Sequence, residues 1–205
     1  MNCPVVVWNG PRDKTLGWDD HPDVLTKPDA LGRRRNPPWH PTHDLDDALR
    51  TQWSFDAHFV PYHGTLDGGV VPTLPRINKP SRPHWERHRL VVSFGCVVFD
   101  VDDPVTHALH LPARPEWRST TETTVSSLPW SPDRSYPTNG GCRLIWLLPR
   151  LLDPAAYENL VARFLRRLLD HGIAADDKCR DWTRCYRLPH VVRSDLTPSE
   201  IPTCP

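Results

Sequence analysis

The sequence has no apolar run long enough to span a membrane, no CxxC pair, no internal repeat and no net charge, since 25 Lys and Arg balance 25 Asp and Glu. Each absence removes a class of protein. Without a run of about 20 apolar residues there is no helical membrane anchor. The start, MNCPVVVWNGPRDK, lacks both a basic segment and a long apolar one, so no leader is expected and the chain reads as soluble, intracellular and cytoplasmic. Zero net charge gives no global attraction to a polyanion. The six cysteines, Cys3, Cys96, Cys142, Cys179, Cys185 and Cys204, are scattered. In a chain of this size without a leader they read as reduced thiols rather than a disulfide framework. Cys179 and Cys185 with His171 and His190 have no standard zinc spacing.

What is abundant is proline (24), histidine (11) and tryptophan (9). So many prolines imply long irregular connections, yet 38% hydrophobic residues in 205 still support a buried core. Charge is uneven along the chain. Acids gather between Asp13 and Asp29 and in HDLDD; bases gather at Arg33-Arg34-Arg35, RINKPSRPHWERHR, ARFLRR and KCRDWTRCYR. Basic clusters interleaved with Trp85, Trp182 and Tyr186 suit a groove that tracks phosphates and stacks bases, although any one of them also suits a solvated face.

The first 42 residues show little periodicity and are expected as extended segments and loops on the surface. Leu45, Leu49 and Trp53 predict a short helix near 44–55. Turns and a basic connector follow over 61–89. A strand is predicted over 90–101, a short helix and a hairpin strand around Thr123–Leu128, and a second strand over 142–148, entered through Asn139-Gly140-Gly141. The strongest helix is 154–170, capped by Asp153, with Pro154 in its first turn and His171-Gly172 at its end. Beyond it, GIAADDKC reads as a short edge segment leading to acids.

The strand over 90–101 ends in VVFDVDD. Period-two alternation sends Asp100 and Asp102 to one face and Phe99 and Val101 to the other. Two adjacent carboxylates repel, and either a solvated turn before Pro104 or a divalent cation relieves that; Mg²⁺ binds through one or two carboxylates with waters or substrate phosphates completing its shell. Asp103 reads as a turn residue, and Trp146 and Trp182 as packing residues. Asp181 reads as an ion-pair partner for a neighbouring arginine.

These motifs, with GGCRLIWLL and AADDKCRDWTRCYRLPHVV, resemble the archaeo-eukaryotic primase superfamily, in its primase-polymerase branch of mobile-element replication proteins, over roughly residues 90–193. The resemblance makes Asp100 and Asp102 the metal ligands of the first motif. Gly141-Cys142-Arg143 matches the second, with Arg143 where His is usual. Asp176, or Asp177 one residue out of step, supplies the third acid, with Arg184 and Arg187 following. It implies a template-dependent nucleotidyltransferase making or extending primers, with Asp100, Asp102 and Asp176 holding Mg²⁺ or Mn²⁺ and Arg143, Arg184 and Arg187 holding the triphosphate. Implied partners are single-stranded DNA template, primer, nucleoside triphosphates and a helicase domain or subunit. The implied fold is α+β, a mixed or antiparallel sheet with an RRM-like catalytic core at 90–195, a loop-rich Pro/Trp-rich part at 1–89, and a linker-like tail at 196–205. Arg in place of His also suits a non-catalytic nucleic-acid-binding replication or defence module on the same fold. A weaker alternative is another metal-dependent transfer, such as one from a nucleotide sugar.

Overall fold

The structure, a computed structural model, describes residues 3–9, 39–66, 69–71, 73–75 and 91–192. The acidic run from Asp13, Arg33-Arg34-Arg35, the connector with Trp85 and the tail at 196–205 lie outside them. The architecture is α+β, with two antiparallel sheets and four α-helices among the described residues. Two compact units divide it: residues up to Val92 together with those from Thr183 onward, and Ser93–Trp182. No helix among the described residues is long and apolar enough to cross a membrane.

In the first unit, β1 (Pro4–Asn9) is flanked by β2 (Trp39–Asp44) and β3 (Ala57–Val60) in an antiparallel sheet, with β6 (Thr73–Pro75) beyond β2 and β10 (Tyr186–Arg187) beyond β3. Val5, Val6 and Val7 are all buried, so the N-terminal segment expected on the surface is instead the middle strand of a sheet. Three consecutive β-branched residues fit a strand covered on both faces, and burying each contributes about 1.5–3 kcal/mol. Pro4 is tolerated because it opens the strand.

The predicted helix near 44–55 forms as α1 (Leu45–Arg50), with the Asp46 amide donating to the Asp44 carboxylate at 2.9 Å. It stops early: Thr51 makes the last helical bond, to the Asp47 carbonyl, but its backbone is extended (ψ 130°), and the Trp53 indole takes the Ala48 carbonyl that a further helical residue would use. The segment expected as turns contains β4 (Tyr62–Leu66) and β5 (Gly69–Val70), paired as a hairpin.

His63, on β4, is fully buried, and the Pro4 carbonyl beside it favours the protonated ring less than burial disfavours it. Burial pulls its pKa down from 6.5 to about 4. The unfolded chain therefore binds more protons in that interval. The stability contributed by neutral His63 is complete above pH 6.5 and is lost as pH falls toward 4. Between pH 7 and pH 5 the loss should be about 2 kcal/mol. Urea unfolding of the wild type and of His63→Leu at both pH values checks this: the substitution should remove about that much of the pH dependence.

In the second unit the order is β7 (Val91–Asp102), β9 (Gly141–Leu152), β8 (Arg134–Pro137), all antiparallel. The strong helix appears as α4 (Pro154–Asp170), with the Ala156 amide donating to the Asp153 carboxylate. At its end the Ile173 amide reaches the Leu168 carbonyl, and the amide of Gly172 (φ 79°) reaches the Leu169 carbonyl, a Schellman closure that a glycine at this position favours. Tyr157, Val161, Leu165 and Leu168 form its buried stripe. Phe164 stacks on Phe99, and Tyr157 on Phe94 with ring centroids 4.0 Å apart. Phe94 and Phe99 are five residues apart and would face opposite sides of a regular strand. A register shift between Phe94 and Cys96 brings both onto the α4 side.

No strand forms at Thr123–Leu128; Pro115–Ser126 is a helix, α3, following the short α2 (Pro104–His107). The hydroxyls of Thr120, Thr123 and Thr124 each donate to the carbonyl four residues back at 2.9 Å. Pro115 supplies the first turn, so the β propensity of the threonines is overridden.

Candidate functional site

Cross-strand register builds the site. Asp100 on β7 lies directly opposite Arg143 on β9, which lies directly opposite Tyr136 on β8. All three share one face, and α4 packs against the other through Phe99. Arg143 Nε donates to Asp100 Oδ1 at 2.6 Å, its NH1 donates to the Tyr136 hydroxyl at 3.0 Å, and its guanidinium lies 5.4 Å from the Tyr136 ring centroid. Asp100 and Arg143 are each only 4% exposed. Burial alone disfavours the Arg143 charge, but the Asp100 carboxylate outweighs it, with help from Tyr136, and holds the guanidinium protonated above its ordinary range. Burial likewise raises the Tyr136 hydroxyl, against the pull of Arg143.

The backbone of Asp100 turns the other way. Its carbonyl accepts from the Asp176 amide at 2.8 Å, and its amide donates to Cys179 Sγ at 3.3 Å. Neither of these bonds goes to β9, which is the pattern of a non-hydrogen-bonded pair, where facing side chains come closest. The expected edge segment after α4 is therefore not a ladder strand. Asp176 accepts from the Lys178 amide at 3.0 Å and caps a 3₁₀ turn, Asp177–Arg180, laid along β7. Asp177, the other candidate third acid, is largely exposed and pairs with Arg180 at 2.7 Å.

Asp102, one step along the same face, sits opposite Gly141 with a side chain 20% exposed. His107 Nδ1 lies 3.4 Å from its Oδ2. Asp103 is fully buried and structural: it caps α2 through the Val105 amide and receives Nε and NH2 of Arg114 at 2.8 and 2.9 Å. The Arg114 guanidinium holds its carboxyl well below the usual carboxylate range, opposed by burial. Arg118 ties down the glycine turn by donating to the carbonyls of Gly141 and Thr138. Nothing in the sequence singled out Arg114, Arg118 or Tyr136, because their partners are set by packing between distant elements.

Arg184 and Arg187 belong to the first unit. The Arg187 guanidinium grips Asp56 through Nε and NH2 at 2.6 and 2.9 Å, opposite His58 in the β10–β3 pairing. The Arg184 guanidinium lies 5.7 Å from the Tyr186 ring centroid. Trp146 and Trp182 are buried packing residues, as expected. The five cysteines among the described residues are all unbridged and buried, and burial pushes the Cys142 thiol up to about 12.

The structure brings Asp100, Asp102, Arg143 and Asp176 together in one unit. Among the described residues no three His, Cys, Asp or Glu side chains are grouped to hold a metal ion. Asp102 and Asp176 keep partial exposure, Asp176 while capping the 3₁₀ turn; Asp100, engaged by a guanidinium, does not fit as part of a preformed two-ion centre. No protein-family model, no curated protein and no solved structure matches the chain.

Proposed function

We propose that this chain is a template-dependent nucleotidyltransferase of the primase-polymerase type, making or extending primers on single-stranded DNA from nucleoside triphosphates. The observation that supports the reading is the meeting of three motif segments at Asp100: its own strand, Arg143 from 43 residues on, and Asp176 from 76 residues on. Packing alone does not require an acid-rich strand end, a glycine turn with a following arginine and a second acid to coincide. In this reading β7, β9, β8 and α4 are the RRM-like core. Mg²⁺ or Mn²⁺, when bound, supplies positive charge for phosphoryl transfer, and Asp102 and Asp176 are the acids with exposure to hold it. Arg143 fixes a positive charge on the same face; of the two remaining arginines, Arg184 is the candidate cation for phosphate, whereas Arg187 is already held by Asp56. A helicase domain or subunit would be the natural partner.

The engagement of Asp100 by Arg143 favours a second reading, a non-catalytic nucleic-acid-binding replication or defence module. Labelled nucleotide incorporation on single-stranded DNA, with and without an annealed primer and with Mg²⁺ or Mn²⁺, separates the two. Incorporation should be observed, and Asp102→Asn should lower it by about a hundredfold or more while the chain stays folded. Asp100→Ala/Asp102→Ala should abolish it. DNA binding without incorporation under all these conditions would select the second reading.

A further inference from the structure

We infer that Arg143 is a built-in cation occupying the place that a divalent ion would take on Asp100, so that Asp100 is a positioning residue and not a metal ligand. The inference deepens the nucleotidyltransferase reading by restricting which acids can serve a metal, and it rests on that reading only in treating the strand-end acids as a metal-binding pair.

Three features carry it. The contact is direct: the guanidinium Nε sits 2.6 Å from Asp100 Oδ1, so a metal ligated at that oxygen would share it with a full positive charge. The guanidinium is also held from a second direction by the Tyr136 hydroxyl, in a row of directly opposed residues across three strands. It cannot swing aside without breaking that row. Finally, the main chain of Asp100 is fixed, its carbonyl and amide being tied to Asp176 and Cys179, so its carboxylate could turn toward another cation only by side-chain rotation that gives up the Arg143 bond. An arginine is well suited to such a post: its charge is permanent, and it is more weakly hydrated than an ammonium group when taken out of water. A histidine at this position would be a titratable neighbour to a metal; an arginine competes with one.

The test uses the full chain without nucleotide or DNA, so it does not depend on activity. In the wild type, the Arg143 Nε–H resonance should stay at its hydrogen-bonded position, slow to exchange, through a titration with Mg²⁺ into the millimolar range. Mn²⁺ affinity, followed by the electron-spin signal of the free ion, should differ by less than about twofold between the wild type and Asp100→Asn, and a folded Arg143→Gln chain should gain Mn²⁺ affinity of at least about tenfold. Three results would each overturn the inference: collapse of the Nε–H resonance with Mg²⁺, a tenfold loss of Mn²⁺ binding in Asp100→Asn, or no gain in folded Arg143→Gln. Absence of nucleotide incorporation alongside the expected resonance and Mn²⁺ results would count against the nucleotidyltransferase reading alone.

Discussion

Arg143→Leu should destabilise the chain by about 3–5 kcal/mol, because it leaves the Asp100 carboxylate buried beside a leucine with its principal counter-charge gone. Asp100 and Arg143 are each 4% exposed, so water cannot compensate for the loss. The Tyr136 hydroxyl would lose its donor as well. The double variant Asp100→Leu/Arg143→Leu should recover most of the deficit, since replacing both members of a buried ion pair with apolar side chains is often neutral or stabilising. Urea unfolding of the wild type, both single variants and the double variant forms a closed cycle. A coupling of less than about 1 kcal/mol would mean that solvent reaches the pair and that its measured worth is that of a surface contact. The cycle measures stability, so it is independent of which functional reading holds.

That buried pair also marks the limit of what the sequence discloses. Period-two alternation in VVFDVDD places Asp100 and Asp102 on one face, and the structure agrees because β7 is regular from Cys96 to Asp102. The limits of α4 follow from local chemistry at both ends, a capping aspartate and a terminal glycine, which is why 154–170 is recovered residue for residue. Local rules fail where a distant partner decides the outcome. VVVW opens the chain among prolines and polar residues, and only pairing with Thr42, His43 and Asp44 on one side and Ala57–Val60 on the other makes it a central strand. Arg143 is legible as a residue that meets an anion, but that the anion is Asp100 depends on β7–β9 register. Arg187 is likewise legible as a candidate phosphate contact, whereas its grip on Asp56 spans 131 residues of sequence.

The second large effect is expected at the glycine turn. Gly141→Ala should cost more than about 3 kcal/mol, beyond the usual range for an overpacked side chain. A Cβ at Gly141 would lie 1.9 Å from the Val101 carbonyl oxygen, 2.9 Å from its carbonyl carbon and 2.8 Å from Asp102 Cα. All three atoms are backbone, so no rotamer change relieves the contact; β9 must move away from β7 where Gly141 faces Asp102. Arg118 resists that movement through its bond to the Gly141 carbonyl at 2.7 Å. Two other glycines provide the comparison. At Gly140 an added Cβ meets chiefly Asp102 Oδ1, at 2.9 Å, a side-chain tip that can turn, so Gly140→Ala should be milder. At Gly172 there is open space but φ is 79°, so Gly172→Ala should cost only about 1 kcal/mol, from backbone conformation rather than collision. Unfolding midpoints should therefore fall in the order Gly141→Ala lowest, with the other two close to wild type. Because Arg143 follows Gly141 by two residues on the same strand, Gly141→Ala should also weaken the Arg143 to Asp100 contact, seen as faster exchange of the Arg143 Nε–H. A Gly141→Ala chain with wild-type stability and an unchanged Nε–H would mean that β9 can shift without disturbing the row, and that register does not fix the site.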